Sequence, residues 1–213
     1  MKQVYFIFLF GIFFIGCTNS SQEGTTTETP KMMELNTDLA SLFEDIIVVK
    51  MHLFSTADPT LKDYPYIGKP IATNLHQYLD ESLLENAEMG LFATYKVQNQ
   101  YYVLRVPSRE FSNELVLCRL DESTGKLKKV EVLANGWCRT ERCHQQDAWL
   151  ADLDLDQQLE LIIRSRDENK EGKIVGNLFR VKTEDGRGGF VIGKDSLANP
   201  TSYVLMEGIL PMQ

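Results

Sequence analysis

The sequence predicts an α+β domain in which two N-terminal helices pack on an antiparallel β-sheet or meander. Three observations carry that expectation. Apolar residues recur at helical spacing in two stretches before residue 90. From Leu91 onward the apolar period shortens to that of strands. Polar turn sequences then separate one short strand from the next, the pattern of runs of strand following runs of helix.

Leu39, Leu42, Phe43, Ile46, Ile47 and Leu53 form one apolar stripe on a helix over 38–54, with Asn36 or Thr37 placed to cap it. Asp58-Pro59, Tyr64-Pro65 and Gly68 mark a loop. A second helix is expected over 71–87, with Ile71, Leu75, Tyr78, Leu79 and Leu83 on one face and Gly90 as its stop. Strands 91–97 and 101–106 flank Gln98-Asn99-Gln100, a hairpin signal. Strands 114–120 and 127–133 flank Asp121-Glu122-Ser123-Thr124-Gly125, a second one. Further strands are expected at 159–164, 177–182, 189–192 and 203–206, and no repeat of propeller type is evident.

The N-terminus reads as an address. Lys2 is the only charge in residues 1–16, and an apolar run from Val4 to Ile15 is broken only by Gly11. That run matches the core of a secretory signal and falls short of the roughly 20 residues a membrane span needs. It closes in Phe14-Ile15-Gly16-Cys17, which resembles the lipobox of bacterial lipoproteins, with Phe14 where that family usually carries leucine. The alternative is an uncleaved anchor with an incidental cysteine. The resemblance implies removal of residues 1–16 and lipidation of Cys17 with diacylglycerol and an amide-linked acyl chain such as palmitate. Several acyl chains together anchor stably where one is marginal. Residues 18–30 hold nothing that can enter a core, so 17–35 is expected to be a lipidated tether and 36–213 a single globular domain. Thr rather than Asp at position 18 favours the outer over the inner membrane within that family.

The formal net charge is −8 with no basic run, which argues against nucleic acid and against electrostatic docking on anionic lipid. Of the four cysteines, Cys138 and Cys143 flank a polar stretch and are expected to form a disulfide in an exported protein. A zinc site from Cys138, Cys143 and His144 competes, but lacks both the usual C-x₂-C spacing and a fourth ligand. Cys118 lies in a strand-like run and reads as a buried thiol.

The one chemically pointed segment is Asp152-Leu153-Asp154-Leu155-Asp156-Gln157-Gln158-Leu159-Glu160. Calcium takes about six to eight oxygens from a flexible loop, supplied at alternate positions. That frame offers the carboxylates of Asp152, Asp154 and Asp156, the backbone carbonyl of Gln158, and Glu160. The segment resembles the D-x-D-x-D-G-x-x-[DE]-L loop of FG-GAP/VCBS-type calcium repeats over about twelve residues. Gln157 stands where that family prefers a left-handed glycine, and Ile163 at position 12 excludes an EF-hand. The same residues also fit a half-buried acidic strand, with Arg139, Arg164 and Arg166 within reach as partners. Like charges about 5 Å apart repel by about 3 kcal/mol at an effective dielectric near 20, so carboxylates converging on a loop want a cation.

His52, His76 and His144 belong to no catalytic motif, and no G-x-S-x-G, H-E-x-x-H or Walker loop occurs. Tyr64, Tyr66, Trp137 and Trp149 could line a glycan or peptide groove, or pack in a core. The sequence therefore points to a non-enzymatic, lipid-anchored envelope protein with a structural calcium loop and a protein or glycan partner. The alternative is a periplasmic or surface hydrolase that uses the ladder as a carboxylate site.

Overall fold

The computed structural model describes residues 33–56, 62–85, 89–107, 113–153 and 157–192, and the domain they form is mostly β. Its strands are β1 (Glu44–Ile46), β2 (Lys50–Leu53), β3 (Lys69–Pro70), β4 (Phe92–Val97), β5 (Tyr101–Pro107) and β6 (Asn113–Asp121). They continue as β7 (Lys126–Arg139), β8 (Arg142–Ala151), β9 (Glu160–Asn169), β10 (Ile174–Glu184) and β11 (Phe190–Ile192). From β4 to β11 each strand pairs antiparallel with the next, while β1 lies parallel to β4 at one end.

The expected pair of long helices is overturned. The first shrinks to α1 (Thr37–Ala40), capped by Asn36, whose side chain accepts the Leu39 N–H at 3.1 Å. Leu39 and Phe43 are buried as the stripe requires, but the chain then enters β1 and β2. The reason lies in Ile46-Ile47-Val48-Val49: four successive β-branched side chains lose rotamer freedom against a helical turn and suit extended backbone. The second expected helix breaks into a 3₁₀ turn (Thr73–Tyr78) and α2 (Glu81–Leu84). Between them Leu79 is extended and bridges Leu127, and the Asp80 N–H donates to the Leu127 carbonyl. The Asp80 carboxylate then accepts the Ser82 N–H and hydroxyl, starting a new helix instead of continuing the old one. Leu75, Leu79 and Leu83 are nonetheless buried.

The two expected hairpins are present as β4–β5 and β6–β7. Gln98 and Asn99 turn the first with positive φ at both residues, the twist that suits a tight hairpin. Residues 159–164, 177–182 and 189–192 fall in or beside β9, β10 and β11, whereas 203–206 lies outside the described residues. β8 is not among the strands expected from the sequence, and β7 runs six residues past its expected end at 133.

β7 is the shared member of two half-sheets. Its first part pairs with β6 from Lys126 to Ala134, and its last five residues pair with β8 from Asn135 to Arg139. β8 keeps β9 along one whole side. On its other side it is paired by β7 at 142–146 and by β2 at 148–151, so β2 fills the place β7 vacates. Two register shifts along β6–β7 add the local twist that this bend needs. The Gln146 side-chain amide donates to the Val132 carbonyl at 2.7 Å, next to the point of divergence.

The bend wraps both half-sheets around one core, in which Val103, Leu115 and Leu117 meet Ala148, Leu150, Leu161 and Ile163 with Leu133 between them. A second apolar layer on the outer face of β4–β7 is roofed by α1, the 3₁₀ turn and α2, and holds the free Cys118, whose thiol is pushed up by burial. β5 is buried on both faces, which explains an apolar run interrupted only by Arg105. Arg105 ties the covering loop down, donating to the Ile67 carbonyl at 3.0 and 2.9 Å and to Asn113 Oδ1 at 2.9 Å.

Replacing Leu133, fully buried at the bend, with alanine should lower stability by about 2–5 kcal/mol. Ile47→Ala, at a side chain left 89% exposed, should change it by less than about 0.5 kcal/mol. Urea denaturation of both variants measures the contrast.

Candidate functional site

The aspartate ladder forms the connection between β8 and β9, whose last pair is Ala151 with Glu160. Two leucines pin it: Leu159 enters the central core, and Leu153 packs with Trp149, Ile162 and Val181 on the opposite face. Asp152 Oδ2 accepts the Gln157 N–H at 3.1 Å across the loop. Gln157 sits at φ 71°, so the left-handed turn expected at that position is made without glycine, at a cost of about 1–2 kcal/mol. The other carboxylate oxygen, Asp152 Oδ1, is buried with no hydrogen-bond partner among the described residues. Glu160 is 3% exposed, and its Oε2 accepts the Leu153 N–H at 2.6 Å. Gln158 is exposed. Asp154 and Asp156 lie outside the described residues, and among the described residues no three metal-ligating side chains converge.

The arginines that might have neutralised this loop are engaged elsewhere. Arg164 pairs with Asp147, Arg166 Nε lies 3.1 Å from Glu168 and its Nη2 donates to Gln145, and Arg139 lies over the Trp137 ring. That weakens the alternative of an arginine-paired acidic strand.

Cys138 and Cys143 face each other across the β7–β8 hairpin and are joined by a disulfide, so neither thiolate is available to zinc. Beside this bridge, on the opposite face, His144 Nδ1 meets Asp167 at 2.9 Å, and Arg142 bonds the same carboxylate at 2.5 Å. The His144 ring stacks on Trp137. These partners, the His144 hydrogen bond foremost, hold the Asp167 carboxyl below its ordinary range.

A second polar centre went unnoticed in the sequence. Asp147 lies between the β8 residues paired with β7 and those paired with β2, and it is 2% exposed. Arg164 on β9 donates to it through Nε at 2.8 Å and Nη2 at 2.5 Å, and His52 Nε2 on β2 lies 2.7 Å away. The His52 ring is stacked on Trp149 at 4.4 Å, and the Arg164 guanidinium lies over the same indole at 5.0 Å. Burial alone would raise the Asp147 carboxyl; the hydrogen bonds from His52 and Arg164 outweigh it and hold it below its ordinary value. All the groups touching this carboxylate fix its position, and it in turn orients His52. His52 and Asp147 are 95 residues apart, so no spacing could have signalled them. The short apolar run Ala148-Trp149-Leu150-Ala151 was the available hint that a strand passes here.

Of the four aromatics expected to line a groove or a core, Tyr64, Tyr66 and Trp149 are core residues and Trp137 is half-buried. Compared with known proteins, the chain matches no family model, no curated sequence and no solved structure.

Asp147→Ala should cost about 3–5 kcal/mol at neutral pH, because it leaves the Arg164 charge buried without its partner. The folded carboxyl lies below its unfolded value near 3.9, so its stabilisation is present above about pH 4 and is lost as pH falls through the folded value. Chemical denaturation of wild type and Asp147→Asn from pH 7 downward should therefore show the two stabilities converging below about pH 4.

Proposed function

We propose that this chain is a lipid-anchored protein of the bacterial envelope whose β domain is a non-enzymatic binding module stiffened by one calcium ion at the β8–β9 connection. The observation that carries the calcium reading is the Asp152 carboxylate. One of its oxygens closes the loop on the Gln157 N–H, and the other is buried with no hydrogen-bond partner among the described residues. A buried anionic oxygen left unpaired is unfavourable, and a hard cation is the partner its chemistry suits. The left-handed backbone at Gln157 supports the same reading, since the turn is strained for a side chain.

Asp152, Asp154, Asp156, the Gln158 carbonyl and Glu160 are the groups that would hold the ion. Glu160 keeps one oxygen on the Leu153 N–H, and a carboxylate has lone pairs for both partners. Cys17 and residues 18–32 lie outside the described residues, and their support is the lipobox-like sequence; at the end of the expected tether the Met33 N–H donates to the Glu122 carbonyl. On this reading the domain stands off the outer membrane and meets a protein or glycan partner.

Calcium at about 100 times its dissociation constant should add about 2.7 kcal/mol, roughly 5–10 °C in melting temperature for a domain of this size. Asp152→Asn should abolish the gain, and the absence of any shift at millimolar calcium would sink the calcium reading. For the anchor, metabolic labelling with radioactive palmitate should mark the wild-type chain and leave Cys17→Ala unlabelled. Label retained on that variant would overturn lipidation at Cys17.

A further inference from the structure

Away from the aspartate loop, the turn joining β6 to β7 and the turn joining β10 to β11 face each other across a cavity of about 640 Å³. The bend in β7 brings them together: Lys182 on β10 pairs with Glu131 on β7, and Phe190 on β11 lies 5.5 Å from the Tyr101 ring on β5. A volume of this order falls within the range of small-molecule sites, which often open at the mouths of curled sheets.

The charges around this mouth are unevenly committed. Asp121 accepts the Ser123 N–H and hydroxyl and pairs with Lys128 at 2.6 Å. Asp185 accepts the N–H groups of Arg187 and Gly189 at 2.7 and 2.9 Å. Both carboxylates are thus occupied within their own turns. Arg119 and Arg187 line the cavity and make no ion pair among the described residues. The lining carries four cations, Arg119, Lys128, Lys129 and Arg187, against the three carboxylates of Asp121, Glu122 and Asp185, an excess of positive charge that runs against the formal net charge of −8.

Arg119 also lies directly against the β10–β11 turn. Gly188 sits at φ 91°, and a Cβ there would lie 1.6 Å from Arg119 Nη1, so the turn leaves the space of a side chain to the guanidinium. A planar fork seated at the cavity in this way is suited to a carboxylate, sulfonate or phosphate. Leu120, Val130 and Phe190 supply apolar surface in the same lining.

We infer that this cavity is a binding site for a small organic anion, with its acidic head on Arg119 and Arg187 and its apolar or aromatic body against Phe190. The site stands apart from the calcium reading and survives its failure. Phenyl phosphate is a suitable probe, titrated calorimetrically into the full chain in non-ionic detergent. Saturable one-to-one binding is expected. Arg119→Gln and Arg187→Gln should each weaken it by about tenfold, the loss of one charge-assisted hydrogen bond. Gly188→Ala, which keeps every charge but displaces the Arg119 guanidinium, should weaken it as well. Arg142→Gln removes an equal charge from the β7–β8 hairpin and should leave affinity unchanged. No saturable heat at millimolar probe, or an equal loss in Arg142→Gln, would overturn the inference.

Discussion

Everything in this domain depends on the point where β8 exchanges one neighbour for another. A strand of fourteen residues cannot serve two half-sheets without leaving one of them, and β7 leaves β8 at Asn135. The backbone groups exposed along β8 would be an unsatisfied edge inside the molecule, and β2 supplies their partners over 148–151. Asp147 stands at that junction and binds its side chain to both flanking strands, through His52 on β2 and Arg164 on β9. Bent β7, inserted β2 and buried Asp147 are one arrangement, because removing any of them leaves polar groups of the others without partners.

That arrangement also sets where chemistry can occur. Curling the sheet brings the β10–β11 turn over the β6–β7 turn, which creates the cavity between strands far apart in the meander. The aspartate loop sits at the other end of β8, where Leu153 and Leu159 enter opposite apolar layers and hold the backbone between them. The described ends of the loop are therefore fixed by two leucines as much as by hydrogen bonds.

Residues that act through near neighbours were legible in the sequence, and those that act across the fold were not. The β4–β5 and β6–β7 hairpins announced themselves because alternation and turn chemistry are local. The Cys138–Cys143 hairpin was readable for the same reason. The N-terminal stripes misled, since Leu39 and Phe43, or Leu75, Leu79 and Leu83, are buried at helical spacing although the backbone between them bends away after about one turn. Burial of a stripe requires only that the side chains face one way. The β-branched run 46–49 and the Asp80 cap carried the contrary signal, and local propensity prevailed over period. β8 stayed hidden because Arg142, His144, Gln145, Gln146 and Asp147 make its first half polar on both faces, without alternation, and its apolar run Ala148–Ala151 is only four residues long. The motif drew attention to Asp152, whereas the bond of its carboxylate to the Gln157 N–H could be seen only in three dimensions.

The pairing of β2 with β8 joins residues 50–53 to residues 148–151, and this separation shapes the order of assembly. A ribosome delivers β2 early, and its partner appears only after nearly a hundred further residues. Until then Leu53 and His52 have no ladder to join, while the β4–β5 and β6–β7 hairpins can close on themselves at once. Pairings of such long range slow folding, because chain entropy is lost before any contact repays it. The earliest strand of the inner core is therefore among the last to dock, and the nascent chain exposes its apolar N-terminal segment for longest.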